Sequence, residues 1–479
     1  MIAASSTQTS RVDRMEGVDA GYLYMETPTM HMHTLKIAVL QPPEAFDLTR
    51  LQEEMVARLA ELPPLQRRAL PAPFSLNHPL WVTDQPVDAT HHVFAHDVPE
   101  PGGMAGLEEL IGRVAGTPLD RTRPLWEMHV CEPFGDGRIA VITKMHHALA
   151  DGVAANALLG NIVDGLGGDP RPARHRPRRE LELEPTPSWF EQLRMALVDA
   201  VLQIGRLPGL VSRTVRAIGA VLRHRKASSV QVPRPLLDVP RTPFNGALTA
   251  RRNFATAQLR IAEIKEVQRA HGVTMNDVVL AVVGGALRRW LIARELLPAR
   301  SLVAGVPVAA DAPGAGPRLG GNRVSNIFTS LATDLDDPLD RLRAISRTTG
   351  ESKLIHQTLG ATMLVDWVQF TPPAPMTAAM RLYSRSRAAS YHPPPFNVVV
   401  SNVRGPGEPV SISGAHLRDL YSVGPILEGI GLNVTAWSYV DRMNFSFLGC
   451  PDLVDDLGPL VAELPRALDE LRTTKGAPA

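Results

Sequence analysis

The residues best suited to chemistry in this chain are Met145-His146-His147-Ala148-Leu149-Ala150-Asp151-Gly152, which follow the apolar, β-like run 138–144. Imidazole is the one side chain whose ordinary pKa, about 6.5, lies near neutrality, so it can take a proton and return it within one reaction cycle. Neighbouring side chains of a strand point to opposite faces. At a strand end, one histidine can therefore face a cavity while the other points into the packing. Asp151 falls where strand turns to helix, and its carboxylate can orient a partner or cap a helix over 152–163. The phrase reads as a general-base station. A second pair, His91-His92, has no Asp-Gly behind it and reads as surface or packing.

Other stretches carry weaker signals. Thr274-Met275-Asn276-Asp277 opens a strongly apolar helix, with Thr274 as N-cap and Asp277 closing a near capping box. Asn276, at the positive end of that helix, also offers an amide N–H to an oxyanion. Asn397 to Pro406 is a strand running into a Gly-Pro turn. Ser401 and Asn402 lie at its end, where side chains reach binding sites or simply satisfy the turn. Pro124-Leu125-Trp126 starts another strand and, taken alone, reads as core. A Gly-x-Ser-x-Gly elbow, a Walker loop and a His-Glu-x-x-His helix are all absent, so serine acyl-enzymes, nucleotide hydrolases and zincins lack their usual signatures.

Elements that could position these residues are legible from patterning. At 479 residues the chain predicts two domains of similar size. With 44% hydrophobic and 21% charged residues it reads as globular, and a net charge of +1 offers no global case for nucleic acid. Two cysteines, Cys131 and Cys450, argue against a disulfide framework or a cysteine zinc site and fit a reducing cytosol. The N-terminal 14 residues lack the apolar core of a signal peptide, and no apolar stretch is expected to reach the roughly 18 residues that span a bilayer.

Proline-rich segments at 169–187 and 232–243 read as extended linkers, the first with a basic cluster from Arg171 to Arg179. The expected divisions are therefore 1–168, a linker region 169–245, and 246–479. The first part should hold a strand at 31–40, helices at 48–61 and 104–116, and strands at 125–132 and 138–144. The last should hold a strand at 250–257, helices at 261–272 and 274–294, a strand at 301–308 and a long helix at 338–359. Strands at 397–403, 431–437 and 444–449 and a helix at 454–472 follow. Between the linkers, 189–226 reads as two helices broken at Leu207-Pro208-Gly209. Apolar residues recur there at helical spacing opposite an arginine-rich face. Such a pair can lie on an anionic lipid surface or pack on the protein as a bridge, and periodicity leaves both open.

Taken together these phrases resemble the bacterial wax ester synthase/diacylglycerol acyltransferase family. The resemblance runs from Asp19-Ala20-Gly21-Tyr22-Leu23 and Met30-His31-Met32-His33 through Pro124-Leu125-Trp126 and His146-His147-x-x-x-Asp151-Gly152. It continues in Asn276-Asp277, Gly321-Asn322-Arg323-Val324-Ser325, Asn397 to Pro406 and Gly431-Leu432-Asn433-Val434-Thr435. The His-His phrase is shared with chloramphenicol-acetyltransferase-like enzymes and peptide-synthetase condensation domains. The Asp-Phe-Gly-Trp-Gly segment usual in condensation relatives is absent here.

The resemblance implies an α/β fold of two chloramphenicol-acetyltransferase-like sandwich domains joined by a helical linker, with the active site in a tunnel between them. It implies an acyltransferase that makes triacylglycerol from long-chain acyl-CoA and diacylglycerol, or wax esters from a long-chain alcohol, without metal or bound cofactor. His147 would be the base, with Asn276 and then His146 as oxyanion support. Asp151 and Gly152 would be structural, and Pro124, Leu125, Trp126, Asn397, Ser401 and Asn402 would contact substrate. The expected location is the cytoplasm, with the inner membrane face or lipid inclusions as a peripheral site. Other readings are a chiefly wax-ester-forming enzyme, a condensation-type enzyme using a carrier-protein thioester, and a non-catalytic lipid-binding homologue.

Overall fold

Apolar runs far apart in the sequence are paired in the structure, a computed structural model that describes residues 13–44, 46–164, 183–310, 318–360 and 363–474. The first linker's basic cluster lies outside the described residues. Helix α1 (Gly17–Met25) leads to strand β1 (His33–Gln41), α2 (Leu48–Ala60), β2 (Val93–His96) and α3 (Gly103–Ala115). Then come β3 (Trp126–Phe134), β4 (Arg138–His146), α4 (Gly152–Ile162) and α5 (Trp189–Ala227). The remainder holds β5 (Asn253–Arg260), α6 (Met275–Ile292), β6 (Val303–Ala309), β7 (Val324–Ser330), α7 (Pro338–Leu359) and β8 (Val398–Arg404). Last are β9 (Ser411–Ile412), β10 (Ala415–Val423), β11 (Leu432–Tyr439) and β12 (Arg442–Gly449).

Two six-stranded mixed sheets organise the molecule, in the orders β9-β10-β1-β4-β3-β2 and β7-β6-β8-β11-β12-β5. The sheets do not follow the linear division at 168 and 246. β10 pairs antiparallel with β1, from His416 opposite Gln41 to Val423 opposite Leu35, so the last part of the chain completes the first sheet. Its alternating row of polar and apolar residues contains no mark of which sheet it joins.

Each sheet carries its own core. Leu40, Met55, Trp126, Val141 and Leu158 fill one, and Val278 to Leu291 of α6 centre the other. A third cluster joins Leu107, Ile111 and Ile142 to Phe254, Tyr421 and Leu448, burying the seam between the two sheets. The capping box expected at the start of α6 is present. Thr274 accepts from Asp277 N, and Asp277 accepts from Thr274 N and Oγ1.

The linker reading is corrected. Residues 189–227 form one helix of 39 residues with Pro208 inside it, not two. Proline removes one helical donor and crowds the preceding turn. Tertiary contacts on both sides offset that cost: Asp199 pairs with Arg14 and Gln203 bonds the Gln369 carbonyl before it. Beyond it, Thr214 accepts from Trp367 Nε1 at 2.9 Å and His224 meets Glu351 at 2.7 Å. Unbroken, the helix contains a stretch of at least 18 residues apolar enough by length and composition to cross a bilayer, against the expectation of none. The expected final helix is instead two pieces, Gly458–Val461 and Glu463–Thr473.

Candidate active site

The turn after β4 is pinned from both sides. His146 N donates to Leu125 O at 2.9 Å and His147 N donates to Met32 O at 2.7 Å, so neighbouring strand ends set where the two rings point. The rings diverge as alternation requires. His146 is fully buried, its Nδ1 accepting from Ala148 N at 3.0 Å and its Nε2 directed toward Glu26 at 3.7 Å. Burial disfavours the Glu26 carboxylate, but the His146 and His33 rings and the Arg121 guanidinium outweigh it and hold Glu26 well below the usual carboxylate range.

His147 is half-buried and its ring stacks on Tyr22 with centroids 4.3 Å apart. Its Nδ1 lies 3.0 Å from Asn322 Oδ1, while Asn322 Nδ2 donates to His147 O at 2.7 Å and to Asp19 Oδ1 at 2.8 Å. These contacts decide the tautomer. A backbone carbonyl can only accept, so the Asn322 atom against His147 O must be the NH2. The other amide atom, facing Nδ1, is then the oxygen, and Nδ1 must carry the hydrogen. The lone pair is left on Nε2. Burial lowers the His147 pKa to about 4, opposed by its own carbonyl, Asp151 and Asn322, so at neutral pH the ring is uncharged.

Asn322 reaches this position on the segment 318–323, which is zipped to the turn. Gly321 N donates to Leu149 O at 2.8 Å, and Ala150 bridges Gly321. Gly321 has φ +74°, a left-handed conformation that favours glycine. Asp151 closes the zip. Its Oδ1 accepts from Val153 N and Ala154 N, both at 3.0 Å, capping α4, and its Oδ2 accepts from Arg323 N at 2.9 Å and from the Arg318 guanidinium. Asp151 is thus both the cap and the ion-pair partner, and it is 3% exposed.

Other sequence-predicted residues fall elsewhere. Pro124, Leu125 and Trp126 are buried; Trp126 Nε1 donates to Leu65 O at 2.8 Å, and His92 stacks on its ring. Through Leu125 O, which accepts from His146 N, this triplet supports the histidine turn. Asn397 is fully buried, donating to Pro240 O at 2.7 Å and Asn245 Oδ1 at 2.8 Å and accepting from Val303 N at 2.9 Å, so its amide ties neighbouring segments together. Ser401 and Asn402 are half-buried on β8, the strand whose Val403 would touch a methyl placed on Gly152 at 3.8 Å. Asn276 is half-buried in the first turn of α6. Hydrogen-bond partners for the Asn276, Ser401 and Asn402 side chains are absent among the described residues.

Asp19, Tyr22, Asn322 and Arg318 were not singled out as site residues. The first three lay inside phrases that carried the family resemblance, but nothing local assigns them to His147. An open cleft of about 650 Å³ runs past Asp19, Leu149 and Asn322 and is walled by Arg14, Arg67, Arg318 and Arg323.

The chain is similar in sequence and fold to known proteins. The profile of the wax ester synthase/diacylglycerol acyltransferase catalytic domain fits residues 15–279, and that of the WS/DGAT C-terminal domain fits 320–472. A Mycobacterium tuberculosis relative bearing the name diacylglycerol O-acyltransferase is 37% identical over 467 residues, 97% of this chain and 96% of its own. Another from that organism, similarly named, is 33% identical over 479 residues, covering 96% and 90%. Among solved structures, the wax ester synthase/diacylglycerol acyltransferase of Marinobacter aquaeolei VT8 superposes with a TM-score of 0.66 at 25% identity, over 96% of this chain and 98% of that one. The first condensation domain of the CDA synthetase shares the fold, with a TM-score of 0.60 at 14% identity over 97% of both chains. The fold is the two-domain, chloramphenicol-acetyltransferase-like α/β arrangement that the sequence led us to expect.

Proposed function

The chain belongs to the wax ester synthase/diacylglycerol acyltransferase family, and from that premise we propose that it moves a long acyl chain from CoA to the free hydroxyl of diacylglycerol, with His147 as general base. One observation carries the assignment of the base: Asn322 commits the hydrogen of His147 to Nδ1 and leaves the lone pair on Nε2.

In the proposed cycle the acceptor hydroxyl gives its proton to Nε2 while its oxygen bonds to the thioester carbonyl carbon. The tetrahedral oxyanion collapses, the C–S bond breaks, and the CoA thiolate takes the proton back from Nε2. Ester and free CoA result, with nothing oxidised or reduced and no bound cofactor used. A positioned base contributes about 10²–10⁴-fold, so holding both chains beside it supplies much of the remaining acceleration. The unpartnered amides of Asn276 and Asn402 and the Ser401 hydroxyl are assigned to the oxyanion and substrate on their chemistry. His146, with Nδ1 on Ala148 N and Nε2 toward Glu26, holds the turn.

The same proposal seats the enzyme on an anionic lipid surface at the cytoplasmic side. Helix α5 leaves Phe190, Val201, Ile204, Val215 and Leu222 between 63% and 77% exposed, with Arg206, Arg213, Arg216, Arg223 and Lys226 also at the surface. Its inner face is tied to the protein along its length through Asp199, Gln203, Thr214 and His224. A helix held on one side cannot be ringed by lipid, so it lies along the interface.

The test offers purified protein palmitoyl-CoA with either dioleoylglycerol or hexadecanol and measures CoA release. His147→Ala should keep its thermal midpoint and lose about 10²–10⁴-fold in turnover. Undiminished turnover in that variant would refute the base, and faster wild-type release with hexadecanol would make wax ester the product.

A further inference from the structure

We propose that Asp19 is a positioning residue for the base: through Asn322 it holds the His147 hydrogen on Nδ1 and, by its own ionisation, sets how readily Nε2 accepts the substrate proton. The proposal rests on the reading of His147 as general base.

Three observations carry it. Asn322 is 1% exposed and spends both amide hydrogens, one on His147 O and one on Asp19 Oδ1. Its oxygen is thereby turned to Nδ1 and cannot rotate away without setting two pairs of acceptors against each other at 2.7 and 2.8 Å. Asp19 is 4% exposed on α1, one helical turn before Tyr22, so the same helix both anchors the amide and stacks on the imidazole. Finally, Asp19 and Asn322 line the open cleft whereas His147 does not, which gives the carboxyl a route to exchange its proton with water.

The relay works by polarisation. An ionised Asp19 pulls on the amide hydrogen, makes Asn322 Oδ1 more negative, and so stabilises the imidazolium that forms when Nε2 takes a proton. A neutral Asp19 does so more weakly, since hydrogen bonds to charged groups are about twice as strong. The charged groups facing Asp19 are Glu16 beside its own helix, Asp151 of the turn, and Arg318 and Arg323 of the Asn322 segment, with Arg14 and Arg67 across the cleft. Burial pushes Asp19 up to about 7, opposed by Asn322 and reinforced by Glu16 and Asp151, whereas His147 titrates at about 4. Acyl transfer should therefore rise in two steps with pH. Below about 4 the base is protonated, between the two values it works with a neutral relay, and above about 7 it works with a charged one.

The experiment measures kcat and KM for palmitoyl-CoA from pH 5 to 9 in wild type and Asp19→Asn. Histidine 15N shifts, with His147 assigned against His147→Gln, are read across the same range. The expected result is loss of the upper step in Asp19→Asn, a fall in kcat of about tenfold at pH 8 and KM within about twofold. The wild-type Nδ1 should be protonated throughout, and Nε2 of the neutral ring should shift near pH 7. Asn322→Ala should admit the other tautomer. A superimposable pH profile in Asp19→Asn, or a wild-type Nε2 signal that passes pH 7 without a step, would overturn the relay. The second readout needs no substitution to fold and no turnover. If His147→Ala is fully active the base reading falls; if it is inactive while Asp19→Asn titrates like wild type, the relay alone falls.

Discussion

Asp151 and Arg318 are ion-paired between the turn that follows His147 and the segment that carries Asn322. The pair sits at the junction of the two parts of the chain, with Asp151 3% and Arg318 17% exposed by side chain. It therefore ties the base to the residue that orients it. Removing Asp151 takes the carboxylate away from Arg318, from Arg323 N and from two helix N–H groups.

Asp151→Ala should accordingly lower stability by about 3 kcal/mol or more and reduce soluble yield. Asp151→Asn, which keeps an acceptor for the cap, should lose roughly half as much. Urea unfolding midpoints decide this. A well-folded, inactive alanine variant would move Asp151 from architecture into the reaction.

Asn397→Ala should cost about 2–4 kcal/mol, because Val303 N, the Pro240 carbonyl and Asn245 all lose a buried partner. Steady-state KM in the fraction that folds should match wild type. A raised KM with an unchanged unfolding midpoint would return Asn397 to the substrate.

Acid should destabilise the protein through His31 and His33, which are both buried, His33 with its Nε2 3.2 Å from Glu26 Oε1. Burial lowers His31 to about 4 and His33 to about 3, against about 6.5 in the unfolded chain. Between those limits the unfolded state binds more protons. Stability is therefore full above about pH 6.5 and falls as pH drops toward 4, by about 3 kcal/mol for each ring. Unfolding midpoints of wild type and His31→Gln at pH 7 and pH 4.5 test the assignment, and equal pH slopes would remove His31 from it.

Helix α5 should bind vesicles of mixed phosphatidylcholine and phosphatidylglycerol in a salt-sensitive manner. Val201→Glu with Leu222→Glu removes two outward apolar side chains, at about 1.5–3 kcal/mol each, and should weaken co-sedimentation by about 10²-fold or more with the thermal midpoint unchanged. Undiminished sedimentation of the double variant would place lipid contact elsewhere.

Much of the fold was legible because its signals are local. The long helix at Pro338–Leu359 and the Thr274–Asp277 box follow from a 3.6-residue repeat and a cap within four residues. Pro208 was misread because a helix breaker acts locally, while the contacts of Asp199, Gln203, Thr214 and His224 that carry the helix through it come from elsewhere in the chain. The resemblance implied that Asn397 contacts substrate, and only the tertiary structure brings Pro240, Asn245 and Val303 to its amide.

The sequence by itself determined that two histidines leave a strand facing opposite ways and that Asp151 stands where a helix must be capped, because both follow from the period of a strand and the free donors of a helix end. Tertiary structure alone decided which nitrogen of His147 holds the hydrogen. That depends on the contacts among Asp19, His147 and Asn322, relations between residues with no local pattern to announce them.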